Sequence, residues 1–393
     1  MLTVQTFPVR MLAVIAMAVG VAACASSSPL PRLPAVPAGE ADRVSVMGIP
    51  YARFLPADAE AISAMSARLY EREEAYYAST GRRIPPRMSM LAISGGNDNG
   101  AFGAGLLVGW GESGRRPLFK IITGISTGAL IAPFIFIGDD QTVTQLITTI
   151  DQDDVYKKRS LLTGLTSDAL SDSTPLENLI AQHLDAGIVA RIAEESRHGR
   201  ALVVITTDLD AGTPVLWDIG AIAESRSPQA LALIRKILLA SASVPAVFPP
   251  VLFDVTINRV HYQEMHVDGG ASVQTFLYPP GMRAIGELRP ATAYVIRNGR
   301  LAPDWQQVDR STLSIATRAV STLTTNSGLG DIYRMYALAK RDDVTFRLAY
   351  IGDDFTEPRP AADFDHAYLV KLFDYGRAKA RGGYHWLSAP PEF

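Results

Sequence analysis

Apolar and polar positions alternate with two different periods along this chain, and the change of period marks its elements. Positions 58–77 carry apolar residues at helical spacing, with Glu71, Glu73 and Glu74 on the other side and no proline inside. They predict a helix that ends at Ser79-Thr80-Gly81. The basic, proline-broken stretch 82–87 reads as a solvated connector. From Met88 the pattern becomes strand, glycine-rich turn, helix, strand, turn, helix: an apolar run over 88–93, small residues over 100–109, a second buried run over 119–123, and an apolar, small-residue helix over 129–137. Thr174-Pro175-Leu176-Glu177 opens a helix, with a cap, a proline at the first position and a glutamate three residues on. Further strands are predicted over 201–207, 213–217, 292–297 and 345–350, and helices over 230–242, 305–326, 330–340 and 363–376. Strands that alternate with helices imply an α/β fold whose mostly parallel sheet is covered on both faces.

Composition narrows the role. The formal net charge of -3 is close to balance, so nothing electrostatic draws the chain to nucleic acid. With 48% hydrophobic residues, 393 positions suffice for a sizeable core.

The N-terminus reads as an export signal. Arg10 precedes an uncharged run over 11–23, too short to span a bilayer but long enough for the apolar segment of a secretory signal. The single cysteine, Cys24, follows Val21-Ala22-Ala23, which resembles a bacterial lipobox, where the signal is cleaved and the cysteine acylated. By the same resemblance, Ser26 in place of an acidic residue favours the outer membrane, facing the periplasm. Residues 1–23 are thus expected to be a signal peptide and 24–45 a proline-, serine- and alanine-rich tether. A helical extension (46–87), a main α/β domain (88–355) and a helical tail (356–393) complete the expected organisation.

Three segments carry candidate chemistry. Gly124-Ile125-Ser126-Thr127-Gly128 sets a serine between glycines directly after a buried strand, the layout of a nucleophile elbow. Ser94-Gly95-Gly96-Asn97-Asp98-Asn99-Gly100 closes the preceding strand and opens a helix, so its backbone N–H groups can face an anion. It matches no Walker loop, and its placement one strand before the serine puts both turns on one edge of a parallel sheet, as an oxyanion hole requires. Val267-Asp268-Gly269-Gly270 offers an aspartate at a strand end, able to accept the serine proton if burial raises its pKa. The cluster from His261 to His266 fits no zinc spacing, and the acidic run 151–154 fits no calcium loop. Neither a metal nor another cofactor is expected.

Taken together with 100–105 and the segment Ala242-Ser243-Val244-Pro245-Ala246-Val247-Phe248-Pro249-Pro250, these blocks resemble the patatin-like phospholipase family, in the family's order and over roughly 88–350. The resemblance implies a three-layer α/β/α fold and a Ser-Asp dyad without histidine. Ser126 is then the nucleophile and Asp268 its base, with backbone N–H groups of Gly95, Gly96 and Asn97 binding the oxyanion. Gly100, Gly124, Gly128, Gly269 and Gly270 complete the motifs. The family's usual third glycine and arginine in the loop are replaced here by Asn97 and Asn99, and its usual Asn-Pro after the aspartate motif by Ala271-Ser272-Val273.

The implied activity is hydrolysis of phospholipids or other lipid esters through an acyl-serine, by a protein held to a membrane at Cys24. The stretch Leu161-Leu162-Thr163-Gly164-Leu165 reads equally as an apolar lid over the site or as a buried core loop. Two alternatives stand beside it: a catalytically silent lipoprotein that keeps the fold to bind lipid or a partner, and an α/β-hydrolase whose Ser-Asp-His triad uses His366 or His385.

Overall fold

The computed structural model describes residues 30–391 apart from 159–166, 279–288, 303–304, 306 and 361. The signal segment, Cys24 and the stretch Leu161 to Leu165 lie outside the described residues.

A two-residue strand, β1 (Arg53–Phe54), precedes the long helix α1 (Ala59–Thr80), which Asp58 caps by accepting the Ala61 N–H and Gly81 closes in the left-handed region. Then come β2 (Met88–Ile93), α2 (Gly100–Glu112), β3 (Ile121–Gly124), α3 (Thr127–Phe136), α4 (Asp140–Thr149) and the short α5 (Gln152–Val155). A ribbon of β4 (Lys157–Lys158) and β5 (Ser171–Asp172) leads into α6 (Thr174–His183), α7 (Ala186–Arg197), β6 (Ala201–Asp208), β7 (Thr213–Asp218), α8 (Ile219–Glu224) and α9 (Ala230–Ser241). The hairpin β8 (Val251–Ile257) and β9 (Val260–Asp268) is followed by β10 (Ala291–Ile296), α10 (Thr312–Arg341), β11 (Val344–Ala349) and α11 (His366–Gly382).

Nine strands form one sheet in the order β1-β7-β6-β3-β2-β10-β11, with β9 also on β6 and β8 on β9. The five from β6 to β11 run parallel, so their carboxyl ends share one edge. Alternate residues of these strands enter two separate cores, which fixes the layering. Leu91, Ile93, Ile122, Leu202 and Val204 join one core with Phe102 of α2, Phe134 of α3 and Leu372 of α11. Met90, Ala92, Ile121, Val203 and Val295 join the other with Ile62 of α1 and Ile332 of α10. The result is a three-layer α/β/α arrangement with a mostly parallel sheet.

The small residues of α2 have a packing cause. A β-carbon on Gly105 would stand 1.9 Å from the Phe373 carbonyl oxygen, and one on Gly376 2.4 Å from that of Phe102, so α2 and α11 touch backbone to backbone. The last helix, expected as a tail, is therefore part of the main core. The extension before β2 is likewise integral, since β1 pairs with β7 and α1 covers one face of the sheet. Of the expected tether, the part from Leu30 onward is not free: Arg32 pairs with Asp210 and with the Gln263 carbonyl. The two helices expected over 305–326 and 330–340 are the single α10, uninterrupted by Gly328 and Gly330.

Candidate active site

β3 stops at Gly124, and Ser126 takes φ 55° and ψ -126° at the turn into α3. A backbone of that kind costs a side-chain-bearing residue about 1–3 kcal/mol, so the surroundings must impose it. They do. A β-carbon on Gly128 would lie 2.4 Å from the Ile93 carbonyl oxygen, and one on Gly124 2.7 Å from that of Gly128, so the turn folds tightly on itself and on the end of β2. From the other side, the Ser126 N–H donates to Ser241 Oγ (3.1 Å), whose hydroxyl donates to the Ile205 carbonyl (2.7 Å). The serine hydroxyl thus sits at the N-terminus of α3, where the helix dipole favours developing negative charge.

Strand register brings the aspartate to it. β6 pairs through Val204 with Gly124 of β3, then through Thr206 with Asp268 of β9, while β7 occupies its opposite edge. Where β3 turns away, β9 takes its place, and Asp268 falls two positions beyond Gly124 along that flank, beside Ser126. The Asp268 N–H donates to the Ser243 carbonyl (2.8 Å) and Oδ1 accepts the Gly270 N–H (2.7 Å). Burial pushes the Asp268 carboxyl up to about 6, against the Ser126 hydroxyl and the Gly270 N–H, which both hold it down. Its Oδ2 is buried and has no hydrogen-bond partner among the described residues.

The glycine loop stands over the same place. A β-carbon on Gly95 would lie 3.1 Å from that of Ser126, and one on Gly96 2.5 Å from that of Asn298. Asn298 also receives the Gly103 N–H at Oδ1 (3.0 Å), donates from Nδ2 to the Ser94 carbonyl (2.8 Å) and from its backbone to Ser94 Oγ (2.8 Å). Of the three backbone N–H groups expected to face an oxyanion, that of Gly95 donates to the Gln274 carbonyl (3.3 Å). Those of Gly96 and Asn97 have no partner among the described residues. Asn97 takes φ 54°, a conformation asparagine tolerates better than most residues, and its carbonyl accepts the Thr127 hydroxyl (2.9 Å), tying the loop to the elbow. Gly100 lets that contact form, since a β-carbon there would lie 2.1 Å from Thr127 Cγ2. Next in the loop, Asp98 is 1% exposed and pairs with Arg359 (3.2 Å). Burial pushes the Asp98 carboxyl up and Arg359 holds it down. The cation missing from the loop's own sequence is thus met by an arginine from the segment between β11 and α11.

Ser126 and Asn97 open into a partly open pocket of about 810 Å³, solvent at its mouth included, walled chiefly by Leu130, Ile131, Phe134, Leu179, Val244 and Phe364. His183 is a polar group in its wall, and burial holds its pKa down. His366 and His385 are exposed and do not line the pocket; the His366 Nδ1 is 3.4 Å from the Ile150 carbonyl.

Behind Asp268 on β9, the side chains of Glu264 and His266 gather with Asp208 so that their potential ligand atoms lie within 4.8 Å of one another. Arg53 pairs with both oxygens of Glu264, and His266 Nδ1 bonds the Thr206 hydroxyl (2.8 Å). Burial pushes the Glu264 carboxyl up, but His266 and Arg53 together hold it below its ordinary value. Glu264 is thus compensated by Arg53 and His266 from within the protein. Ser241, Gln274, Asn298 and Arg359 are the residues that sequence reasoning missed. Only Asn298 leaves a trace there, as a polar residue straight after a buried strand.

None of the curated proteins compared with this chain matches it. Among solved structures it is similar to VipD from Legionella pneumophila, at 12% identity and a TM-score of 0.39, over 76% of this chain and 67% of that one. It is also similar to human GIVD cytosolic phospholipase A2, solved with methyl gamma-linolenyl fluorophosphonate and terbium chloride, at 10% identity and a TM-score of 0.30. That match covers 84% of this chain and 64% of the other. No described helix is long and apolar enough to cross a membrane. The family model described as patatin-like phospholipase matches residues 91–277, the span holding the glycine loop, Ser126 and Asp268.

Proposed function

We propose that the protein is a lipid acyl hydrolase working through a Ser126–Asp268 dyad. The observation that carries the reading is a serine held at φ 55°, beside a buried aspartate, at the mouth of an apolar pocket. Ser126 Oγ attacks the ester carbonyl carbon while its proton passes to Asp268. The carbonyl oxygen becomes an oxyanion facing the N–H groups of Gly96 and Asn97, assisted by the N-terminus of α3. As the carbon–oxygen bond to the alcohol breaks, Asp268 returns the proton to the leaving oxygen and an acyl-serine remains. Water then gives its proton to Asp268, attacks the acyl-serine and releases the fatty acid, and the proton returns to Ser126.

A raised aspartate pKa suits this role, because a base with a pKa of about 6 is ionised at neutral pH yet basic enough to take the proton. The apolar pocket fits an acyl chain, and lipid esters are accordingly the substrate class. The same reading keeps Cys24 as the site of lipid attachment and the outer membrane, facing the periplasm, as the location. Release of fatty acid from phospholipid or lysophospholipid dispersions tests it: wild type releases acid, and Ser126→Ala reduces release to the uncatalysed level. Equal release by the two proteins defeats it.

A further inference from the structure

α10 runs from the catalytic edge of the sheet to the opposite one, because it follows β10 and ends just before the parallel strand β11 begins. Its level at the catalytic edge is fixed by Gly328, where a β-carbon would lie 2.6 Å from Arg297 Nη1 and 3.2 Å from Gln274 Cβ. Asp331, one turn on, accepts the Gln274 N–H (2.7 Å). From there downward Ile332, Met335 and Ala339 are buried in the core. The stretch 312–327 therefore stands above the edge on which Ser126 sits, a length of about 24 Å at 1.5 Å per residue.

That projecting half is amphipathic, with an exposed apolar face. Ile315, Val320 and Leu323 are 55%, 63% and 71% exposed, and at 100° per residue they fall with Ala316 and Ala319 on one face, opposite serines and threonines. Trp305, in the segment leading into the helix, is 87% exposed. From Arg310 to Gly330 the sequence has two arginines, Arg310 and Arg318, and no acidic residue. An apolar face and an interfacial tryptophan are the attributes of a helix that lies in a lipid surface.

The N-terminal segment meets the molecule on the same side. Leu33 donates its N–H to Gln263 Oε1 (3.0 Å), and Arg32 pairs with Asp210 in the turn after β6. Since β9 overlaps β6 only from His266 to Asp268, Gln263 lies beyond the carboxyl end of β6, above the catalytic edge. The six steps along the chain from Cys24 to Leu30 span at most about 22 Å, so an acyl group on Cys24 would hold the membrane to this edge.

We propose that the projecting half of α10, with Trp305, docks into a phospholipid surface and presents the mouth of the Ser126 pocket to it. The proposal rests on the lipid-hydrolase reading for its purpose, but not for its test. The test uses the full chain carrying Ser126→Ala on vesicles of phosphatidylglycerol and phosphatidylcholine whose acyl chains are brominated. Trp305 emission, taken as the difference from a Trp305→Phe partner, is expected to fall about twofold, because an interfacial helix settles about 5–10 Å into the acyl boundary. Ile315→Ser, Val320→Ser and Leu323→Ser combined are expected to remove the quenching while the protein still sediments with the vesicles through its anchor.

Unquenched Trp305 in sedimenting protein overturns the proposal, as does quenching that survives the triple change. A wild-type dimer that the triple change converts to monomer, without quenching, also overturns it and assigns the face to a second copy of this chain. Hydrolysis of a soluble short-chain ester by the triple variant with Ser126 restored reads the chemistry separately. Failure of that assay in the wild type too, with quenching intact, defeats the hydrolase reading alone.

Discussion

Gly95 faces Ser126 so closely that a β-carbon on the glycine would stand 3.1 Å from the serine's own and 3.5 Å from Gln274 Oε1. The loop and the elbow thus meet with no room for a methyl group, and either one must give way when one is added. Gly95→Ala is predicted to shift the loop by a few tenths of an ångström and to lower kcat/KM for ester hydrolysis by about 10–100-fold, since small misplacements at the reacting centre are costly. Thermal denaturation should show a stability loss of about 1–3 kcal/mol, as for other overpacked sites.

In the proposed dyad Asp268 sets the pH dependence. As the base it would have to be ionised to take the serine proton, and burial raises its pKa from 3.8 to about 6. The acid limb of kcat/KM is therefore predicted to rise through about pH 6, which a profile on a soluble ester measures. Asp268→Asn should lower kcat by about 10²–10⁴-fold.

The same shift has a consequence for stability. With a folded pKa above the unfolded one, the native state disfavours the ionised carboxylate, so the penalty is fully present above about pH 6 and absent below 3.8. Asp268→Asn, which keeps an acceptor for the Gly270 N–H, is predicted to be more stable than wild type at pH 8 by up to about 3 kcal/mol, from a two-unit shift at 1.36 kcal/mol each. The gain should shrink as pH falls from 6 to 4. Chemical denaturation at the two extremes checks the sign.

Arg359 compensates the buried Asp98 in the glycine loop, although half of its own side chain is in solvent. Its removal is predicted to cost little stability, below about 1 kcal/mol, because exposed partners screen such pairs. Activity should suffer more: with Asp98 freed, the N–H groups of Gly96 and Asn97 lose their placement, and kcat should fall about 3–10-fold with KM nearly unchanged, the pattern of a lost transition-state contact. Arg359→Lys should recover part of the loss.

Leu130 lies one turn along α3 from Ser126 and lines the pocket. Leu130→Trp fills space that a long acyl chain needs but leaves the mouth clear. Hydrolysis of long-chain esters is predicted to fall about 100-fold relative to butyrate esters, since loss of several buried methylenes at about 0.8 kcal/mol each is decisive. Comparing kcat/KM across a chain-length series reads this directly.

The layering was legible in the sequence because strands buried on both faces are continuous apolar runs, while the helices between them repeat at 3.6. Gly124, Gly128 and Gly95 also stand out as glycines, since each lies where backbone or the Ser126 side chain comes within 3.1 Å of a would-be β-carbon. The continuity of α10 was not legible: Gly328 lowers helix propensity there, and its cause, the closeness of Arg297 and Gln274, is a tertiary contact. Nor could local pattern reveal that Asn298 braces the glycine loop from some two hundred positions away, or that the Gly95 N–H is taken by Gln274. Sequence pattern reports what an element does to itself; these residues act on other elements. The expected tether illustrates the same limit, since its proline content reads as solvated chain while Arg32 finds an acidic partner at Asp210.

The central claim is that Ser126 is an activated nucleophile. It is tested most directly by treating the protein with an alkyl fluorophosphonate and locating the adduct by mass spectrometry of proteolytic fragments. One phosphonyl group on Ser126, absent in Ser126→Ala and slowed about 10²–10⁴-fold in Asp268→Asn, is the predicted result. A folded wild-type protein that takes up no phosphonyl group, or an adduct that persists elsewhere in Ser126→Ala, would contradict it.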